Sequence, residues 1–429
     1  MYKISLFIIL LVATLTSYSQ NASKYLNKSE SERIEKFLSS DALEGRKVYS
    51  KGIELAADFI ANEFRQNGLK TWGKSDSYLQ SFSKMNAKFI SASGNFDGTT
   101  IDTKNIIVVT AQEKLVVNEN SGYEFVKINK EDNLMASVRK FMTAGKNYVV
   151  IVDESFAQNF GRLVQLKSNI NENQKSLVFV LSNTTPSKFT IEATHQIEKL
   201  PLANVVGVLP GKSLPNEYVI FSGHYDHLGI NGKRAVNGDS IYNGANDDAA
   251  GTTAMIMLSK YFAALGNNER TIIFAAFTAE EAGGFGAQYF SKQFDPLQVK
   301  AMFNIEMIGT ESKWGKNSAY ITGYEKTDMG AILQKNLEGT EFTFYPDPYT
   351  DQNLFYRSDN ATLARLGVPA HTISTSKMDN EPNYHKPSDQ FETLDIDNMT
   401  EIIKAIAKSA KSIIAGKDTP CRVDATQLK

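Results

Sequence analysis

Four short clusters of acidic and histidine residues lie in order along the C-terminal half of this 429-residue chain. Each cluster follows or precedes an apolar run that is typical of a β-strand. The carboxyl ends of parallel strands meet at one edge of a sheet, so side chains far apart in sequence come together there. The sequence therefore predicts a metal site assembled at a sheet edge from the clusters Ser222–Gly229, Asn243–Gly251, Thr278–Gly284 and Tyr384–Asp389.

Strands and helices alternate through the region that carries these clusters. The apolar runs Tyr218–Ser222, Thr271–Phe277 and Ala370–Ser374 are predicted strands, and Gly251–Leu265 has the apolar spacing of a helix. Alternation of this kind is typical of α/β domains, in which ligands gather at the carboxyl ends of the strands. We therefore predict a mostly parallel, twisted central sheet with helices on both faces.

The chain is too long for one ordinary core, so a second domain is expected. Residues 89–200 differ in composition from the rest of the chain. Short β-like runs alternate there with Asn, Ser, Lys and Glu, and no cluster of acidic and histidine residues occurs. We predict a smaller inserted α/β or β-rich domain over these residues. The main domain would then combine residues 20–88 with residues 201–429.

The N-terminus has the features of an export signal. Residues 1–19 combine one lysine, an apolar run from Ile4 to Thr14 and small residues at the usual cleavage positions. The run is too short to span a bilayer comfortably, so we expect a cleaved signal peptide, no later membrane span, and a periplasmic or extracellular protein. An uncleaved membrane tether is the alternative.

Composition narrows the list of partners. The formal net charge of −2 gives no electrostatic reason to expect nucleic acid or anionic lipid as a partner. The single cysteine, Cys421, excludes an intrachain disulfide. These features are typical of a globular protein that folds on the strength of its core alone.

The first two clusters combine zinc-ligand chemistry with turn chemistry. His224 follows a predicted strand, and an imidazole is a good zinc ligand whose other nitrogen a carboxylate such as Asp226 can hold. Asp247 and Asp248 stand in a glycine-bounded turn that opens a predicted helix. Taken alone, the first pair also fits a solvated loop and the second pair a helix N-cap.

The remaining clusters supply more acids and a late histidine. Glu280 and Glu281 are adjacent carboxylates, which repel each other unless a positive group lies beside them. A metal on one and a water on the other resolve this repulsion, with a glutamate acting as general base. Glu306 ends another apolar strand, and His385 stands in a polar loop with Asp389 as a second-sphere partner. Together, five strand-end sites with ligand chemistry favour a metal centre over chance.

These clusters, in this order, resemble those of peptidase family M28, a family of co-catalytic zinc aminopeptidases. The resemblance extends to Leu38–Leu69, with its Ser-Asp-Ala-Leu-Glu-Gly-Arg motif and following helix. It implies a zinc-exopeptidase fold, two zinc ions per chain, Glu280 as general base, and peptide substrates with a free N-terminus. The insert predicted at residues 89–200 falls where many members carry a protease-associated domain.

The resemblance also implies the metal ligands, residue by residue. Asp247 would bridge the two ions. His224 and Glu306 would complete one position, and Glu281 and His385 would complete the other. The chain departs from the family pattern at two points: Glu306 stands where aspartate is commonest, and the turn reads Asn-Asp-Asp where relatives often have Asp-Asp-Asn. Neither departure removes a ligand.

Other polar residues near the clusters receive more specific expectations. Asp226 is expected to support catalysis beside the metal-ligating histidine. An oxyanion donor is also needed, and Tyr384 and Tyr356 are candidates on residue type and position. His227 is either a second-sphere group or polar surface, and we expect the surface. His371 lies inside an apolar run and is expected to be a packed histidine.

Three classes of function are compatible with these residues. The first is the exported zinc aminopeptidase. The second is a glutaminyl cyclase, an aminoacyltransferase that shares the fold and many ligands but uses one zinc ion. The third is a non-catalytic binding protein on the same scaffold. The complete ligand set favours the first, because non-catalytic relatives typically lose ligands.

Overall fold

The computed structural model describes residues 23–428, so the predicted signal peptide over residues 1–19 lies outside the described residues. The chain divides into two compact units. The first unit joins the residues up to Ser81 with those from Leu202 onward, and the second unit is Phe82–Pro201. The second unit contains the segment that the sequence predicts as an insert.

The secondary structure alternates between strands and helices in the first unit and is richer in strands in the second. The strands are, in chain order, β1 (Lys70–Thr71), β2 (Leu79–Phe96), β3 (Thr99–Ile101), β4 (Ile106–Val109), β5 (Lys114–Asn118), β6 (Glu124–Ile128), β7 (Tyr148–Val152), β8 (Leu177–Leu181), β9 (Phe189–Leu209), β10 (Leu214–His224), β11 (Gly229–Ile230), β12 (Ile241–Tyr242), β13 (Arg270–Phe277), β14 (Val299–Ile305), β15 (Ser318–Ile321), β16 (Thr343–Pro346) and β17 (Ala370–Ser374). The α-helices are α1 (Lys28–Leu38), α2 (Lys51–Gln66), α3 (Leu134–Thr143), α4 (Ala157–Phe160), α5 (Ala250–Leu265), α6 (Phe285–Phe290), α7 (Met329–Asn336), α8 (Asn360–Ala364), α9 (Ile396–Ser409) and α10 (Lys411–Ile414).

The sheet of the first unit has the strand order β16-β15-β17-β14-β10-β13-β9. Its centre is parallel, since β10 pairs with β13 and β14, and β14 with β17, in parallel. The pairs β13 with β9 and β15 with β17 are antiparallel. The predicted mostly parallel sheet is therefore confirmed.

Both faces of this sheet are buried, which explains why its strands are continuous apolar runs. Phe221 lies in register with Phe274 and Phe303, and its ring stacks on theirs at centroid distances of 5.8 and 4.8 Å. Helices α1, α2, α5 and α9 cover this face. The preceding residues Ile220 and Ile273 pack on the other face, under α6 and α8. Helices on both faces were expected from the alternation of elements.

The parallel strands of the first unit end together at one edge of the sheet. β10 ends at His224, β13 at Phe277, β14 at Ile305 and β17 at Ser374. The turn before α5, which packs on β10, β13 and β14, also lies at this edge. The predicted clusters thus occupy the part of an α/β sheet where ligands bind.

The second unit contains a sheet of order β4-β8-β7-β6, in which β6, β7 and β8 are parallel and β4 is antiparallel to β8. Every residue of β7 is buried, because Val150 and Val152 pack into one core and Val149 and Ile151 into another. Among residues 23–428, no helix is both long and apolar enough to cross a membrane.

Candidate metal centre

One group of possible metal ligands lies around Asp247 on the side of β10 and β14. His224, Asp247 and Glu306 each offer one ligand atom within 4.8 Å of the others. His224 Nε2 lies 3.2 Å from Asp247 Oδ1, and both side chains are buried. The sheet brings these residues together because His224 ends β10 and Glu306 follows β14, its parallel neighbour.

A second group lies on the other side of the same aspartate. His385 Nε2 is 3.2 Å from Asp247 Oδ2 and 3.2 Å from Glu281 Oε1. Each oxygen of Asp247 therefore faces a different histidine. Although burial raises it, contact with His227 and His385 lowers the pKa of Glu281 to about 2, so this carboxylate is charged.

His227 also belongs to this second group, so the expectation that it lies at the surface is wrong. Its residue exposure is 2%, and its Nδ1 lies 2.8 Å from Glu281 Oε1 and 4.0 Å from Asp247 Oδ2. A residue far away in sequence holds the loop that carries His227, because the His227 amide donates a hydrogen bond to the carbonyl of Arg46. Local sequence gives no sign of this burial.

The donor atoms of both groups fit a divalent metal. Among residues 23–428, several buried atoms here have no hydrogen-bond partner, although burial of an unpaired polar atom is costly. They are His224 Nε2, His227 Nδ1 and Nε2, Glu281 Oε1 and Glu306 Oε2. Imidazole nitrogens and carboxylate oxygens are zinc ligands, so an ion at each position would satisfy them.

Asp248 and Asp389 hold the turn that carries Asp247. Asp248 Oδ1 accepts from the amides of Gly251 and Met307, and Oδ2 accepts from the amide of His224. Asp248 thus holds the backbone around the turn, while Asp247 faces the histidines. Asp389 accepts from the amides of Asn246 and Asp247 at 2.9 and 3.0 Å. It supports the second sphere through this turn rather than by binding His385.

Residues 204–410 match the model of peptidase family M28. A protein of Trichophyton verrucosum named "Probable leucine aminopeptidase" is 30% identical over 211 residues, which cover 47% of this chain and 54% of the relative. A "Probable zinc metalloprotease" of Pyrenophora teres f. teres is 36% identical over 110 residues, covering 25% and 23%. The chain spans about half the length of the first of these curated relatives.

Solved M28-type structures share the fold of this chain. The aminopeptidase from Aneurinibacillus sp. strain AM-1 superposes with a TM-score of 0.54 at 16% identity, covering 95% of this chain and 98% of that chain. A zinc aminopeptidase from Bacillus subtilis gives 0.52 at 15% identity, covering 91% and 96%. Identities this low support the architecture alone.

Asp226 occupies a different place in this site from the one expected. His224 Nδ1 contacts the backbone carbonyl of Asp226 at 3.1 Å, whereas the Asp226 carboxylate lies 4.0 Å from it. That carboxylate instead accepts from the amides of Glu280 and Glu281 at 2.9 and 3.3 Å. The loop after β10 thus gives His224 a backbone partner. The Asp226 side chain holds the backbone of the two glutamates.

Glu280 lies beside the possible metal ligands without belonging to either group. Burial raises its pKa well above that of an ordinary glutamate, and the nearby carboxylates of Asp359, Glu306 and Glu281 act in the same direction. A carboxylate in such surroundings takes up a proton readily, as a general base must.

Asp359 is a buried acid that lies in none of the sequence clusters. Its exposure is 2%, neither of its oxygens has a hydrogen-bond partner among residues 23–428, and it does not cap α8. Burial raises its pKa to about 8, and Glu306 contributes. An acid that precedes a helix normally indicates an N-cap, so the sequence held no signal for this other environment.

The remaining candidate residues divide between the site and the core. The Tyr384 ring stacks on His385 at a centroid distance of 3.9 Å and lines a cavity with Glu306. Burial raises the pKa of Tyr384, so it keeps its proton and can donate. Tyr356 packs against Phe355, part of the core under α6 and α8. The prediction that His371 is packed is confirmed, since it is buried and contacts Thr327 and the Thr322 carbonyl.

Proposed function

We propose that this chain is a zinc aminopeptidase that hydrolyses the N-terminal peptide bond of peptides. The observation that carries the proposal is the position of Asp247, whose two oxygens face different histidines. Such a carboxylate suits a pair of metal ions, and two zinc ions per chain are expected. Glu280 lies next to both groups and remains free for proton transfer.

The residues around the metal positions have different roles in the proposed reaction. When bound, two zinc ions supply Lewis acidity and lower the pKa of water. Glu280 takes a proton from the attacking water and returns it to the leaving amine, and Asp226 fixes its backbone. Tyr384 donates a hydrogen bond to the oxyanion that develops on the substrate carbonyl.

The charge of the site favours a free amino terminus on the substrate. Beyond the carboxylates that the zinc ions would neutralise, Asp359 lies near Glu280 and Glu306 as a further acid, and a carboxylate there can pair with an ammonium group. The N-terminal amine of a peptide carries this charge at neutral pH, whereas an internal peptide bond does not. A substrate with a blocked N-terminus is expected to be cleaved poorly.

We also propose export of the chain, with cleavage after about residue 19 and a periplasmic or extracellular location. The support is the charge and apolar pattern of the first residues. Cell fractionation with mass measurement of the mature N-terminus tests this. Recovery of the chain with its original N-terminus from the cytoplasm would contradict it.

The proposed activity is tested by metal content together with hydrolysis of aminoacyl anilides. About two zinc ions per chain, anilide hydrolysis that a chelator abolishes, and recovery on adding zinc are expected. Activity untouched by chelation would contradict the proposal. One zinc ion, no hydrolysis and formation of pyroglutamate from an N-terminal Gln peptide would instead indicate a glutaminyl cyclase.

A further inference from the structure

His227 is a buried histidine for which the M28 resemblance assigns no metal-binding role. Neither of its ring nitrogens has a hydrogen-bond partner among residues 23–428. The first unit buries this ring beside two carboxylates. Burial of an unpaired imidazole is costly, and this ring lies against carboxylate oxygens of which Glu281 Oε1 is also unpaired, so a partner shared with them would offset that cost.

The position of Nδ1 indicates what that partner is. His227 Nδ1 lies only 2.8 Å from Glu281 Oε1, yet it forms no hydrogen bond of acceptable angle with that oxygen. His385 Nε2 approaches the same oxygen of Glu281 and the same oxygen of Asp247, at 3.2 Å each. Two imidazoles thus converge on one pair of carboxylate oxygens.

The distances match donors that share one ion. Zinc holds nitrogen and oxygen at about 2.0–2.2 Å in a tetrahedron, so its donors lie about 3.3 Å apart. The distances of His227 and His385 to the two oxygens run from 2.8 to 4.0 Å, which brackets this value. The four nitrogen-to-oxygen distances thus fit donors of one coordination sphere.

The backbone around His227 holds the ring in place. A Cβ atom at Gly244 would lie 2.6 Å from Cγ and Cδ2 of His227, so only glycine lets the ring take this position. The amide of His227 donates to the Arg46 carbonyl at 3.3 Å. The ring is therefore fixed before any ion binds, as ligands in metal sites usually are.

We propose that His227 is a direct ligand of the second metal ion, which it shares with Asp247, Glu281 and His385. This inference rests on the two-metal centre of the proposed function and adds a ligand to it. The second position then has four protein ligands, whereas His224, Asp247 and Glu306 give the first position three. An open coordination place for water or substrate is consequently expected at the first position.

A different role for His227 would be to orient Glu281 by donating a hydrogen bond to it. The variants His227→Ala and His227→Asn separate the two roles. Asparagine places an amide donor close to where Nδ1 stands, so it can replace a hydrogen-bond donor, but it cannot replace an imidazole as a zinc ligand. Alanine replaces neither function.

The experiment titrates metal-free full-length protein with Zn²⁺ and with Co²⁺, following bound metal and the Co²⁺ absorption spectrum. His195→Gln is the matched control, because His195 in the second unit is also buried with both ring nitrogens unpaired. Its surroundings differ, since burial and Lys167 lower the pKa of His195 to about 4. Urea unfolding of each variant checks that it folds.

The expected result is two ions per wild-type chain and one tightly bound ion in both His227 variants. The second ion should bind more than about 100-fold more weakly, beyond the 10–100-fold typical of outer-sphere losses, with a changed Co²⁺ spectrum. Wild-type affinity in His227→Asn, or a loss under about 100-fold in both variants, would overturn the inference. A wild-type chain that binds one ion and hydrolyses nothing would instead overturn the proposed function.

Discussion

The two units both contain parallel strands that end in polar residues, but among residues 23–428 clusters of possible metal ligands occur at these ends only in the first unit. In the second unit, β7 is followed by Asp153 and β8 by Ser182, and each side chain accepts from a backbone amide two residues on. In the first unit, His224 and Glu306 at strand ends keep unpaired buried atoms. Polar strand ends therefore occur in both units, and what distinguishes the first unit is that ligand atoms of several side chains, some of them buried and unpaired, lie within 4.8 Å of one another.

The largest effect is expected from Asp247→Asn, which tests whether one residue serves both groups. The asparagine keeps the size of the side chain but removes the charge that both histidines face. Bound zinc should fall from two ions per chain to near zero and hydrolysis to background. Asp153→Asn in the second unit is the matched control, and it should leave both unchanged. Retention of one ion by Asp247→Asn would show that one of the two groups binds its ion without this carboxylate.

The next largest effect is expected from Glu280→Gln, which separates proton transfer from metal binding. General acid and base groups contribute about 10²–10⁴-fold, so hydrolysis should fall by that factor. Glu280 belongs to neither ligand group, and two zinc ions per chain should remain. Steady-state rates and metal analysis on the same sample check both points. Loss of an ion would show that Glu280 is a ligand instead.

A smaller effect is expected from Asp389→Asn, which weakens the turn that carries Asp247. The carboxylate accepts from two backbone amides, and an amide side chain has one oxygen to accept with. Metal affinity should fall about 10–100-fold, as it does for other outer-sphere partners. A competition titration against a chelator measures this. Unchanged affinity would show that the turn holds its shape without Asp389.

The smallest effect on the metal centre is expected from Glu35→Gln, which changes stability with pH. Glu35 is fully buried, and burial raises its pKa to about 8 from its ordinary value. Its contribution to stability is therefore complete below the unfolded pKa of about 4.3 and is lost as pH rises through the folded pKa. Between about pH 5 and pH 9, the urea midpoint should fall less in Glu35→Gln than in wild type, at constant metal content. Equal falls would contradict this.

Much of the fold could be predicted because its strands are continuous apolar runs. The predicted strand Ala370–Ser374 has the boundaries of β17, and the predicted Thr271–Phe277 differs from β13 by one residue, because both runs are fully buried. Strand β9 begins at Phe189, and its first half alternates between buried and exposed residues. Because polar residues occupy the exposed side, the first half of this strand contains no continuous apolar run that would indicate it.

The candidate site was predictable where a motif carries the chemistry and not where burial depends on distant residues. His224, Asp247 and Glu281 follow or precede apolar elements, so their meeting follows from sheet topology. His227 looked like surface because its burial depends on Gly244 and on the carbonyl of Arg46. Contacts of that kind appear only in the folded chain.

The sharing of Asp247 by two metal ions can be observed in a crystal structure of the zinc-loaded protein by anomalous scattering. We expect two peaks, one among His224, Asp247 and Glu306, and one among Asp247, Glu281 and His385. A single peak, or a peak outside ligand distance of Asp247, would contradict this arrangement.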